Sequence, residues 1–253
     1  MIGVFDSGVG GLSVLREIKK RAPHLDVVYF GDILNAPYGI KSDFELKDLA
    51  MKAIKILADE GVDAIVCACN SISVTSALRD ISASKYSKIN IVEMVRPTVD
   101  AIKATKGKIV LLATPATIKS GIYQEEFKKV NKEVEFIQIP DLASAVEKSF
   151  ERKITKGIVK ESVVAAAMYN PKVMSLSCTH YSIAKDIFKE VIEEQGYDME
   201  IFDPSGSVAD EVVKRFGDYG EDTMKFLISK ESSIFRGLIE EYFGDKSYSI
   251  EVI

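Results

Sequence analysis

Short runs of β-branched and apolar residues alternate along this chain with longer segments whose apolar residues recur every three or four positions. The short runs are 2–5 "IGVF", 26–30 "DVVYF", 63–69 "DAIVCAC", 89–93 "INIVE", 108–113 "KIVLLA", 133–138 "EVEFIQ", 172–178 "KVMSLSC" and 199–202 "MEIF". Between them lie "GLSVLREIKKRA", "DFELKDLAMKAIKILADEG", "TPATIKSGIYQEEFKKV" and "SIAKDIFKEVIEE", which have the period of amphipathic helices. Strands that alternate with helices pair side by side through right-handed crossovers, so the pattern predicts an α/β, doubly wound fold with mainly parallel sheets.

The layout restarts near residue 96. A strand and the turn "DSGVGG" open the first half, and "KIVLLA" with the turn "TPATIKSG" opens the second. Later in each half a strand ends on cysteine, "DAIVCAC" before Asn70-Ser71 and "KVMSLSC" before Thr179-His180. We expect two similar lobes with a cleft between them, residues 1–95 with 206–253 forming one and 96–205 the other. The tail, with a helix, a strand near "MKFLIS" and a second helix, is expected to return to the first lobe.

A chain of 253 residues with 47% apolar content can bury one large or two smaller cores. Its net charge of -5 argues against nucleic acid or an anionic membrane as partner, which leaves small-molecule chemistry. No segment has the apolar length of a membrane span, and "MIGVFDSGVGG" lacks the cationic start of a secretion signal. Three cysteines do not make a disulfide framework, so reduced thiols in the cytoplasm are expected.

Ligands of parallel α/β sheets bind beyond the carboxyl ends of the strands, where Asp6, Cys69 and Cys178 all fall. One thiol from each lobe, on opposite sides of a small ligand, suits removal of a proton from one face of a carbon and delivery to the other. Helix N-termini lower thiol pKa values, so the positions before "NSIS" and "THYS" are expected to activate both cysteines. Asn70, Ser71, Ser73, Thr179, Ser7 and Thr117 add hydroxyl and amide groups that could hold a carboxylate. His180, two residues after Cys178, could exchange a proton with it, whereas His24 has nothing to distinguish it from a surface residue. Plainer readings compete: Cys67 as a small buried hydrophobe, Asp6-Ser7 and Thr179 as caps, and Cys67, Cys69, Cys178 and His180 as a zinc set, although C-x-C is tighter than usual zinc spacing. "DSGVGG" lacks the third glycine of a dinucleotide turn and carries Asp6 where a pyrophosphate would sit.

Taken together, "FDSGVGGLSVL", "YFGD", "APYG", "ACNSIS", "ATPATIKSGIY" and "CTHY" resemble glutamate racemases of the aspartate/glutamate racemase family, in order and spacing, over most of the chain. The resemblance implies two similar α/β lobes, no pyridoxal phosphate or other cofactor, no metal, an acidic amino acid as ligand, and a homodimer. It also implies Cys69 and Cys178 as the two proton carriers, Asp6 beside the first, His180 beside the second, and Glu147 as a further carboxylate. Ser7, Tyr38, Gly39, Asn70, Ser71, Thr114, Thr117 and Thr179 would hold the substrate.

The departures surround the thiols without touching them. Ser71 replaces a usual threonine, Ile72 an alanine, Ser177 a glycine and Ser182 a proline, while the loop "DILNAPYG" replaces a more polar one. Arg96, in "MVRP", stands where glutamate is usual; its guanidinium near the cleft could grip a carboxylate, or it is a surface charge at the hinge between the halves. Aspartate-specific relatives open with a different glycine-rich turn, without Asp-Ser, so the resemblance implies glutamate as substrate, with aspartate, or binding of an acidic amino acid without turnover, as the alternatives.

Overall fold

The computed structural model describes residues 1–78 and 86–253. Among the described residues ten strands form two sheets in which every ladder is parallel. The first sheet has the order β10-β9-β2-β1-β3-β4, from β1 (Ile2–Asp6), β2 (Val27–Gly31), β3 (Ala64–Cys67), β4 (Asn90–Glu93), β9 (Met224–Ile228) and β10 (Tyr248–Val252). The second has the order β6-β5-β7-β8, from β5 (Ile109–Ala113), β6 (Val134–Gln138), β7 (Val173–Leu176) and β8 (Glu200–Phe202). The sequence β2-β1-β3-β4 thus recurs as β6-β5-β7-β8, the duplicated layout visible in the sequence.

Both faces of each sheet are covered, and for this reason the central strands read as continuous apolar runs. In β1, Ile2 and Val4 join one core with Leu12, Leu15 and Ile18 of α1 (Leu12–Arg21). Phe5 points the other way, onto Leu46, Ala50 and Leu57 of α2 (Asp43–Asp59). In β5, Val110 and Leu112 face Val159 and Val163 of α8 (Arg152–Ala167), while Ile109 and Leu111 face Val99 of α4 (Val95–Ile102) and Phe127 of α6 (Ile122–Lys129). Each fully buried side chain of this size contributes about 1.5–3 kcal/mol, enough for the period-2 pattern to decide which way every strand faces.

Several local expectations need correction. The strands carrying the cysteines stop two residues early, at Cys67 and Leu176. Ala68 N–H still donates to Phe5 O and Ser177 N–H to Leu112 O, both at 2.8 Å, after which Cys69 and Cys178 become the N-caps of α3 (Asn70–Ser73) and α9 (Thr179–Ile183). The segment 114–130 is two helices, α5 (Pro115–Lys119) and α6, because Gly121 adopts a left-handed φ of 73° between them. The helical segment 182–194 likewise divides, between α9 and α10 (Lys185–Gln195). In the tail, α11 (Pro204–Phe216), β9 and α12 (Ser233–Phe243) are followed by β10, whose alternation of Tyr248, Ile250 and Val252 is that of an edge strand. No helix among the described residues is long and apolar enough to cross a membrane.

Candidate active site

The carboxyl ends of the two sheets meet around a small, mostly enclosed pocket. Ser7, Pro37, Tyr38, Gly39, Cys69, Asn70 and Ser71 line it from the first sheet's side, and Thr114, Ala143, Cys178, Thr179 and His180 from the second. Cys69 and Cys178 are 5% and 6% exposed, so both thiols look into one enclosed space. All three cysteines are free, and Cys67, the last residue of β3, turns into the core on the α2 side. Cys67, Cys69, Cys178 and His180 do not converge as a zinc set: among the described residues no three His, Cys, Asp or Glu side chains could hold a metal.

The "DSGVGG" turn is the seam of this site. Asp6 Oδ2 accepts from Gly8 N–H at 2.9 Å, Asp6 Oδ1 accepts from the Thr179 hydroxyl at 3.2 Å, and Val9 N–H donates to Glu147 Oε2 at 3.1 Å. The glycines permit the approach. A Cβ on Gly10 would lie 2.5 Å from Thr179 Oγ1 and 2.6 Å from His180 Nδ1, and one on Gly8 would collide with the Glu147 carboxylate.

Around Cys178 the groups form a chain. His180 Nδ1 lies 4.0 Å from Cys178 Sγ, and His180 Nε2 lies 2.6 Å from Glu147 Oε2. Burial disfavours the imidazolium, but the sulfur and the carboxylate together outweigh it and hold His180 well above its ordinary pKa. Both ring nitrogens then donate, one to Glu147 and one toward the sulfur. Cys69 sits in the opposite environment. Burial, reinforced by the Asp6 carboxylate, pushes its thiol well above the ordinary value, and the Ile72 backbone N–H offsets little of this. The N-terminus of α3, only four residues long, sets little against this burial. Burial likewise raises the Asp6 carboxyl against the opposing charge of His180.

The polar residues expected to hold a ligand divide into two layers. Asn70 Oδ1 accepts from the Tyr123 hydroxyl at 2.7 Å, leaving the buried Asn70 Nδ2 without a partner. Ser71 Oγ lies 3.0 Å from Thr114 Oγ1, which lies 3.0 Å from Thr117 Oγ1; Thr117 thus stands behind the lining. Asp6 and Glu147 also stand behind it, reaching the cavity through Thr179 and His180.

Arg96 is not at the cleft. It is exposed and lines a separate groove with Glu93, Asp100 and Lys214, because α4 turns its buried face, Val95 and Val99, into the second core. The other departures have local partners: Ser71 on Thr114, Ser177 on Ser175, and Ser182 donating to Asp203. His24 is exposed and pairs with Asp218 at 2.8 Å. Three supporting residues escaped the sequence reading. Tyr29 donates to Gly8 O at 2.7 Å, Asp32 accepts from Tyr38 at 2.5 Å, and Tyr123 fixes the Asn70 amide. They occupy the ends of "YFGD" and of "ATPATIKSGIY", motifs whose signal lay in plain view.

Known proteins share this arrangement. A glutamate racemase of Clostridium botulinum is 36% identical over 220 residues, covering 85% of this chain and 83% of that protein. A glutamate racemase of Aquifex aeolicus is 32% identical over 253 residues, covering 99% and 91%. The crystal structure of glutamate racemase from Francisella tularensis in complex with D-glutamate superposes with a TM-score of 0.86 at 28% identity, covering 100% of this chain and 96% of that one. The model of the Asp/Glu/Hydantoin racemase family matches residues 2–212, which include both cavity thiols and every group that backs them, and the chain belongs to that family.

Proposed function

We propose that the protein interconverts L- and D-glutamate by two-base 1,1-proton transfer, with Cys69 and Cys178 as the proton carriers. The observation that carries this reading is the pair of thiols at matching positions beyond β3 and β7, lining one mostly enclosed pocket. Their surroundings are unlike. Burial and Asp6 push the Cys69 thiol up, while Cys178 has His180 Nδ1 at 4.0 Å, itself held by Glu147, as a group placed to exchange a proton with it. In one direction Cys178 takes the α-proton while Cys69 delivers its own to the opposite face; the reverse direction begins from the exchanged state. The buried, unpaired Asn70 Nδ2 and the hydroxyls of Ser7, Ser71, Thr114 and Thr179 provide donors for the substrate carboxylates, on which charge builds as the α-proton leaves. Near-complete enclosure keeps water from the carbanion. These steps call on neither pyridoxal phosphate nor metal.

The closely similar relatives called glutamate racemases favour glutamate over aspartate. Residues 1–95 with 206–253, and 96–205, act in this reading as two lobes that part to admit substrate, in line with the two sheets that they carry. The family likeness further leads us to propose a homodimer, to be read by sedimentation, and the free buried thiols favour the cytoplasm. The deciding experiment is proton NMR in D₂O, following loss of the α-proton signal of L-glutamate and separately of L-aspartate without added cofactor. Exchange with glutamate is expected in the wild type, and interconversion of the enantiomers, followed on the same samples by chiral chromatography, should be lost by at least about a thousandfold in Cys69→Ala and in Cys178→Ala. Exchange with aspartate alone would reassign the substrate, and saturable binding without exchange, or an active cysteine variant, would overturn the mechanism.

A further inference from the structure

A wider groove of about 360 Å³ abuts this pocket, and Ser71 lines both. On one side of the groove stand Lys41, Ser42 and Asp43, held by the capping box in which Ser42 and Glu45 satisfy each other's backbone N–H at the start of α2. On the other side stand Ala116, Lys119 and Ser120 of α5 and its C-cap. At the inner end, Ser71 Oγ and Thr114 Oγ1 are 3.0 Å apart, a hydrogen bond that joins the first sheet's side to the second's.

The charges in the groove are Lys41, Lys119 and Asp43, a net positive set on a chain whose total is -5. Asp43 accepts from Ser76 at 3.3 Å. Neither lysine has a carboxylate within ion-pair distance among the described residues, unlike Lys55, Lys103 and Lys129, each paired within 2.6 Å. Glu45 feels the charge of Lys41, but its carboxylate is engaged with Ser42.

We propose that this groove is the access route of the anionic amino acid, with Lys41 and Lys119 as a cationic collar across the cleft and the Ser71–Thr114 pair as its inner gate. The inference rests on the racemase reading for the identity of the traveller. A negatively charged protein repels a monoanion on average, and two unpaired cations at the mouth reverse that locally. Solvent-exposed charges act over about 8–10 Å at ordinary ionic strength, so the collar works at the mouth and fades with salt.

Two readouts test it. In racemisation assays at low salt, the Lys41→Gln/Lys119→Gln double variant is expected to lose roughly 3–10-fold in kcat/KM, mostly through KM, and to converge with wild type in 0.5 M salt. Asp43→Asn is expected to shift KM the opposite way. The second readout needs no turnover: alkylation of Cys69 and Cys178 by iodoacetate relative to iodoacetamide, read by peptide mass spectrometry. At low salt the double variant should lower the iodoacetate rate and leave the neutral reagent's rate alone. An unchanged ratio overturns the collar even if the enzyme racemises glutamate. A changed ratio in a protein that exchanges no α-proton upholds the access route and refutes the racemase reading instead.

Discussion

Gly10→Ala adds one methyl group where the two sheets' ends touch. Among the described residues the positive-φ glycines do not include Gly10, so its backbone suits alanine and the test is steric. The new Cβ would stand 2.5 Å from Thr179 Oγ1 and 2.6 Å from His180 Nδ1, whereas ordinary contact begins near 3.4 Å. About 0.8–0.9 Å of room must be found. His180 cannot yield freely, since Glu147 holds its far nitrogen at 2.6 Å, and Thr179 is held by Asp6. Overpacking of this kind costs about 1–3 kcal/mol. For a chain of this size that corresponds to a melting temperature lower by roughly 2–12 °C. The larger effect falls on the reaction: displacing His180 and Thr179 by nearly 1 Å relative to Cys178 should lower kcat/KM about a hundredfold. Thermal melts and α-proton exchange in D₂O on the same preparation measure both. A variant within threefold of wild-type kcat/KM and with an unshifted melt would refute the reading of the turn as a packed seam.

Tyr123→Phe removes the hydroxyl that holds the Asn70 amide and strands a buried acceptor, at a cost of about 1–3 kcal/mol. With the amide free to turn, KM for glutamate should rise about tenfold by steady-state assay while kcat changes less; an unchanged KM would remove Tyr123 from the site's support. Glu147→Gln tests the charge on His180. A histidine whose folded pKa is raised contributes stability that is fully present below about pH 6.5 and is lost as pH rises through the folded value. Removing the carboxylate lowers that folded value, so the variant's fall in melting temperature above about pH 6.5 should be smaller and end at a lower pH than wild type's; superimposable profiles would show that Glu147 does not stabilise the imidazolium.

Much of the fold was legible because strand and helix periods are local. Gly3, Val4 and Phe5 alternate between two covered faces, and the regular spacing of Leu12, Leu15 and Ile18 marks a helix before any contact is known. The split at Gly121 was less legible, since an apolar pattern continues across a residue whose positive φ only the folded chain displays. Between the two readings of Arg96 only the folded chain decides, for the surface one: proximity along the chain to the crossing between sheets says nothing about which face of α4 is buried.

By itself the sequence determined an α/β chain with a repeated strand order, the cysteines at two equivalent strand ends, and the family to which those motifs belong. Tertiary structure alone decided what surrounds each thiol, with Asp6 raising Cys69 and His180 backed by Glu147 beside Cys178, and that the glycines serve as a seam. The physical reason is range. Side-chain periodicity reports neighbours two to four residues apart, whereas the bonds that build the site join Asn70 to Tyr123 across 53 positions, Val9 to Glu147 across 138 and Asp6 to Thr179 across 173. Burial, which sets the protonation of every group in the cavity, comes into being only when those distant segments close on one another.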